Sequence, residues 1–274
     1  MSGKKQIPDI PEGLNLIDSH THLYFKEAYP EGAHIDAVKK AIDAGVGFMV
    51  FPGVNEESMI MMEELHALFP DNTAMAAGIH PDDLEPDWKS QLSRVRKKMK
   101  SGNYIAVGEV GIDLYRDKSN VENQKAAFEE QLHWAVADGL PVIIHCREGL
   151  EETLEVLGRF PRKDLPRVLF HCFTGTPEQV RRIREVIPDA VFAINGVVTF
   201  KNAAEVREAV KEIGLENILL ETDSPYLAPT PFRGSRNESS LLPYIAAGVA
   251  DTLDTDIRIV AETTTANSRR FFGI

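Results

Sequence analysis

The sequence has little of what holds small secreted or membrane proteins together. Only two of its 274 residues are cysteine, Cys146 and Cys172. That excludes a disulfide scaffold and fits a reducing compartment. No apolar run approaches the ~20 residues a membrane span needs. The opening stretch MSGKKQIPDIPEG carries two lysines and no apolar core, so it does not read as a signal peptide. Residues 1–12 are expected to be an N-terminal extension, and the cytoplasm is the expected location. There is no low-complexity tract, no solenoid-length repeat and no interdomain linker. A Gly-rich phosphate fingerprint is missing after the first strand-like run, which counts against an open dinucleotide-binding sheet. Positive charge is also scarce. With 30 Lys and Arg against 42 Asp and Glu, the net charge is −12. Such a field repels polyanions and excludes a general nucleic-acid coat protein. It leaves room for an enzyme whose local basic patch or bound metal ions reverse the sign at one site.

What is present is an ordinary globular composition, 43% hydrophobic and 26% charged, patterned as a regular alternation. Short apolar runs occupy Leu14–His20, Phe48–Gly53, Thr73–His80, Ile105–Asp113, Leu140–Cys146, Arg167–Phe173, Val191–Val198 and Ile218–Asp223. Near-continuous apolar strands are what a parallel sheet covered on both faces requires. Helical periodicity fills the intervals, at His34–Ala44, Glu56–Phe69, Asp87–Ser101, Glu122–Asp138, Gly149–Phe160, Pro177–Val186, Ala203–Ile213 and Leu241–Leu253. Thr176 followed by Pro177 reads as an N-cap and first helical residue. A last helix is expected over Asn267–Phe272. Eight strands alternating with eight helices predict an α/β fold, a (β/α)8 TIM barrel, as a single domain over 1–274.

The polar residues fall where such a barrel builds its active site. Asp18-Ser19-His20-Thr21-His22, Gly78-Ile79-His80, Gly108-Glu109, Ile144-His145, Phe170-His171 and Glu221-Thr222-Asp223 lie near the C-terminal ends of the runs, which converge on one rim. Five of the eight histidines are there; His34, His66 and His133 lie in helical patterns. Imidazole and carboxylate donors together suit zinc or another first-row divalent ion. His20 and His22, two apart, are expected to point the same way on a strand and grip one ion. Glu109 has two oxygens with which to bridge two ions about 3.5–4 Å apart. Cys146 and Cys172 each adjoin a histidine and are expected to point away from it as small core residues. Arg147, Lys201, Arg233 and Arg236 are candidate phosphate donors. Tyr24, Phe25, Phe173 and Tyr226 are candidate stacking surfaces for a base.

These blocks resemble the TatD family of metal-dependent deoxyribonucleases, within the wider amidohydrolase-type barrels. The matching residues run from Asp18-Ser19-His20-Thr21-His22 through Val107-Gly108-Glu109-Val110-Gly111 and Ile144-His145-Cys146-Arg147 to Glu221-Thr222-Asp223-Ser224-Pro225 and Arg236-Asn237-Glu238. The resemblance implies that His20, His22 and Asp223 hold one metal and His145 and His171 another, with Glu109 between them. It implies that His80 contacts the substrate phosphate or assists proton transfer, making His80, Glu109 and Asp223 the catalytic set. It further implies two divalent ions (magnesium, zinc or manganese) and cleavage of DNA phosphodiesters, single-stranded or at a 3′ end. The sequence itself shows no membrane or obligate protein partner, and a monomer is the default expectation. Neighbouring barrels hydrolyse other esters and amides, D-aminoacyl-tRNA among them, and a non-catalytic binding protein is the remaining alternative. The chain departs from the family at Tyr24, where the first motif usually ends in aspartate. It departs again at Asp82-Asp83 after Pro81 and at Ser239 after Glu238.

Overall fold

The computed structural model describes residues 10–29 and 32–274. Most of the expected N-terminal extension, residues 1–9, lies outside the described residues. Eight strands form one sheet in sequence order: β1 (Leu16–Asp18), β2 (Val46–Pro52), β3 (Thr73–Ala77), β4 (Tyr104–Asp113), β5 (Val142–Arg147), β6 (Val168–Phe170), β7 (Val191–Ile194) and β8 (Ile218–Leu220). Every consecutive pair is parallel. Ser19 N donates to the Leu220 carbonyl at 2.9 Å, bringing the last strand round to the first. The protein is the expected single-domain (β/α)8 barrel.

Helices α1 (Ala33–Asp43), α2 (Glu56–Leu68), α3 (Trp88–Ser101), α4 (Val121–Asp138), α5 (Leu150–Leu157), α6 (Pro177–Val186), α7 (Ala204–Ile213) and α8 (Leu242–Leu253) cover the strands. Local signals place their ends. Thr176 accepts from Gln179 N, the Gln179 side chain bonds back to Thr176 N, and Pro177 opens α6, a complete capping box. The final helix, α9 (Ile257–Phe272), starts ten residues before the expected Asn267. Its middle contains Thr263, Thr264 and Thr265, whose β-branching lowers helix propensity. Tertiary contacts override that weak local signal: Thr265 donates to the Asn15 carbonyl and Asn267 to the carbonyls of Leu215 and Ile218.

The barrel interior is a distinct apolar stack of Val50, Ala76, Ala106, Ile143, Leu169, Ala193 and Leu219, closed off by Phe271 and Phe272 at the end of α9. Phe48, Ile105 and Val191, at or near strand starts, pack on the same stack, so α9 plugs the N-terminal end. The other end is left for polar side chains. Among the described residues no helix is long and apolar enough to cross a membrane.

The capping box carries a simple test. Thr176→Ala is expected to destabilise the fold by about 1 kcal/mol, read from urea unfolding, with activity per folded molecule unchanged. An unaltered midpoint would mean that the cap contributes nothing.

Candidate metal centre

The strands are shorter than the apolar runs, and this changes how the rim is built. β1 ends at Asp18, so His20 and His22 lie on the loop beyond it rather than on one face of a pleat. Loop hydrogen bonds align them instead. Thr21 N donates to the Val50 carbonyl, His22 N to the Ser224 carbonyl, and Asp223 N to the His20 carbonyl. The result is the expected convergence, with the two Nε2 atoms 3.1 Å apart. His80, His171 and Asp223 likewise follow their strands, whereas Glu109 and His145 lie within β4 and β5. The β4–β5 register shifts between Val107 and Val110, and such an irregularity re-aims side chains.

Glu109 sits at the centre. Its Oε2 lies 3.3 Å from His20 Nε2 and 3.6 Å from His22 Nε2. Its Oε1 lies 2.9 Å from His145 Nδ1, 2.7 Å from His171 Nε2 and 3.5 Å from His80 Nε2. Asp223 Oδ1 stands 3.7 Å from both His20 and His22. All seven residues that the sequence nominates for metal or catalysis therefore meet in one place. Three overlapping donor groups are spaced for a cation: His20 with His22 and Asp223, His20 with Glu109 and His171, and His80 with Glu109 and His145.

The donor chemistry fits a metal. Burial holds His20 down to about 4 and His22 to about 3, so both are neutral near pH 7, with the His171 and His20 charges respectively adding to the effect. Neutral imidazole nitrogens and carboxylate oxygens facing one another offer lone pairs with few protons between them, an arrangement a cation satisfies. Around Glu109, burial works against the charge. The charges of His171, His20 and His80 and the His145 hydrogen bond outweigh it and hold the carboxyl well below its usual range.

The second nitrogen of each ring distinguishes the histidines. His145 turns Nε2 to the Asp113 carboxylate at 2.8 Å, leaving Nδ1 for the centre. His22 turns Nδ1 to Tyr24 Oη at 2.8 Å, and the Tyr24 hydroxyl donates to the Pro52 carbonyl. Since that hydroxyl proton is committed, His22 Nδ1 carries the proton it shares with Tyr24, and its Nε2 lone pair faces the centre. His171 Nδ1 faces Glu221 at 3.8 Å. His80 differs, because its Nδ1 accepts from Asp82 N. Neutral His80, with a folded value near 3, therefore carries its proton on Nε2 and is a donor toward the centre rather than a lone pair. Asp113, Glu221 and Tyr24 are the supporting residues that sequence reasoning missed. The two acids interrupt apolar runs, and that costly placement was the available signal.

Other expectations are corrected. Tyr24 is fully buried and cannot stack on a base; it holds His22. Phe25 stacks on the His22 ring at 4.9 Å. Cys172 does not turn away. Its backbone is left-handed (φ 49°), and its thiol is pushed up by burial and by Asp223, Glu221 and Glu109. Cys146 is half-buried and packs against the core, its thiol raised to about 11 by burial. His34, His66 and His133 lie on helices α1, α2 and α4 as expected. The basic candidates stay on the periphery. Arg147 stacks on Tyr115 at 3.6 Å and Arg233 on Phe200 at 4.2 Å, and Lys201 is exposed beside Phe200. Arg236 is tied to Glu238 and the Ala28 carbonyl, which leaves little of it for a phosphate.

A cleft of about 1050 Å³ borders the centre, lined by His171, Cys172, Phe173, Arg147, Gln179 and Arg182 among others. A buried carboxylate–imidazole centre at a barrel mouth beside a large cleft defines the class, a metal-dependent hydrolase. The chain matches the family described as TatD related DNase over residues 17–273, and it belongs to that family. It is 33% identical to the metal-dependent hydrolase YabD of Bacillus subtilis, with 94% of this chain and 99% of that protein aligned. It is 34% identical to the 3′-5′ ssDNA/RNA exonuclease TatD of Escherichia coli, with 87% and 92% covered. The crystal structure of YJJV, a TatD homologue from Escherichia coli, superposes with a TM-score of 0.85 at 26% identity, covering 95% and 99%. The chain is thus a hydrolytic enzyme that acts on ester bonds.

Two measurements probe this centre. Tyr24→Phe removes the partner of His22 Nδ1 and is expected to weaken metal binding about 10-fold, read by titration of the metal-free protein; unchanged affinity would dismiss the tautomer argument. Metal uptake is also expected to release protons near pH 7.5 and to tighten as pH rises. Burial opposes charge on His145, yet its bonds to Asp113 and Glu109 raise it to about 9, so it is protonated there. Burial and Glu109 likewise raise Asp223. A cation must displace the His145 proton. Calorimetry in buffers of different ionisation enthalpy measures the number released.

Proposed function

We propose that this enzyme is an exonuclease that removes nucleotides from the 3′ end of single-stranded DNA, with two divalent cations as cofactors. One observation carries the reading: the two oxygens of Glu109 face separate donor sets, Oε2 toward His20 and His22, Oε1 toward His145 and His171. His20, His22 and Asp223 would hold one cation, His145 and His171 the other, with Glu109 between. Bound there, divalent cations supply Lewis acidity and ease deprotonation of water. Asp223, whose proton affinity burial and Glu109 raise, is the acceptor for the attacking water's proton. His80 presents its Nε2 proton toward the same space and would bond a phosphate oxygen. The names of the relatives support the choice of substrate, since the TatD proteins among them act on ssDNA and RNA from the 3′ end.

The chain's own rim fits a strand end. Phe173 in the cleft and the exposed ring of Tyr226 offer faces for bases. Arg147, Lys201 and Arg233 place positive charge around a mouth that also carries Asp82 and Asp83. Burial raises both of these acids from the usual carboxylate range.

The test is single-turnover cleavage of 5′-labelled single-stranded DNA by chelated protein with metal added back. Glu109→Gln and Asp223→Asn are each expected to lower the rate at least about 100-fold, and the wild type should shorten the strand from its 3′ end. Equal rates for wild type and variants would remove the proposed centre. Hydrolysis of a D-aminoacyl-tRNA with the strand left intact would overturn the nuclease reading.

A further inference from the structure

Outside the barrel mouth, one surface departs from the acidic character of the chain. Helix α3 reads WKSQLSRVRKKMKS and contains six basic residues and no acidic one, in a protein of net charge −12. Three of the six are neutralised. Arg94 pairs with Glu56, Glu85 and Asp87, Arg96 with Asp138, and Lys98 with Glu63. Lys89, Lys97 and Lys100 form no ion pair among the described residues. These three line a groove of about 610 Å³ between α3 and α4, together with Trp88, Ser93 and Trp134.

The spacing explains the alignment. Positions 89, 93, 97 and 100 recur at helical intervals and so share one face. At 1.5 Å per residue they span about 17 Å along the helix. The Trp88 end of the groove is the end nearer the active rim, because α3 starts five residues after the turn Pro81–Asp83 that carries His80 at its N-cap. Trp88 and Trp134, the only tryptophans of the chain, both contribute to it. Trp88 is half-buried, with Lys89 Nζ 5.3 Å over its ring. Trp134 is held from below, its indole N–H bonded to Glu130 and the Arg96 guanidinium 5.6 Å above its ring. Glu130 is the one acid in the lining.

We infer that this groove is a second binding site for the single-stranded nucleic acid, holding the strand outside the catalytic mouth with Lys89, Lys97 and Lys100 on successive phosphates and Trp88 against a base. Unpaired lysines beside an aromatic face are the combination that binds a strand without sequence preference. The rest of the acidic surface repels the strand, so the groove supplies an electrostatic track leading to one rim. The inference rests on the nuclease reading, and its test separates the two.

Both tryptophans line the groove, so intrinsic fluorescence reports on it independently of cleavage. Titrating metal-loaded protein with a long oligothymidylate is expected to quench the emission, and Trp88→Phe should remove most of the change. In the variant Lys89→Ala/Lys97→Ala/Lys100→Ala, KM for the long strand is expected to rise about tenfold. The slope of log KM against log salt should fall by about 2, at roughly 0.7 per phosphate. Hydrolysis of a thymidine dinucleotide, too short to reach the groove, should keep its kcat and KM. Quenching without any cleavage would sustain the groove and sink the nuclease reading. Cleavage with no quenching and an unchanged KM in the triple variant would overturn the groove, as would quenching by polyglutamate or anionic vesicles but not by the oligonucleotide.

Discussion

A buried carboxylate surrounded by imidazoles is the constraint on which the rest of this structure depends. Glu109 is almost wholly enclosed, and five histidine rings lie within 4 Å of it. Burying a charge in this way is costly unless the neighbourhood compensates. The compensation comes from elements spread over the chain, from the loop after β1 to the segment after β8. Each element must therefore be held to within a fraction of an ångström. Gly111 illustrates how tightly. Its φ is 142°, and a Cβ there would sit 2.0 Å from the His145 carbonyl oxygen, so β4 passes β5 closely only because the residue is glycine.

That demand also accounts for the supporting polar residues. Asp113 and Tyr24 touch no reacting atom, yet each bonds one ring nitrogen so that the other faces the centre; Glu221 stands 3.8 Å from His171 Nδ1 and accepts from Cys172 N. Asp18 does similar work on the backbone, accepting from Thr222 N and Oγ1 and from His20 N. Tyr24 is the uncharged member of the three. A neutral phenol in place of a carboxylate fixes the same tautomer but leaves the imidazole a weaker donor. The difference falls on one half of the centre alone.

The acidic surface and the basic helix α3 belong to the same problem. On the proposed nuclease reading, the enzyme must admit phosphate without letting its own charge reject the substrate. Unpaired positive charge lies at the mouth periphery and along the α3 groove among other places, and many of the remaining Lys and Arg form exposed ion pairs. Those pairs contribute little individually to stability. Their effect is to leave unpaired lysines in few places.

Much of the fold was legible because its signals are local. Apolar runs and helical periodicity identify eight strand–helix units, and Thr176-Pro177 fixes the start of α6 to the residue. The last helix was misjudged where Thr263–Thr265 speak against it locally and contacts with Asn15 and β8 decide for it. The residues that converge on Glu109 were legible too, because histidine and carboxylate at the ends of apolar runs are too costly to be incidental. Sequence alone thus determined the element order and the identities of His20, His22, His80, Glu109, His145, His171 and Asp223. Only the tertiary structure decided which ring nitrogen each histidine offers, that Tyr24 is a buried support, that Arg236 is already engaged, and that Lys89, Lys97 and Lys100 are unpaired. The physical reason is that hydrogen-bond direction and ion pairing depend on distances between residues far apart in the chain, which no local pattern encodes.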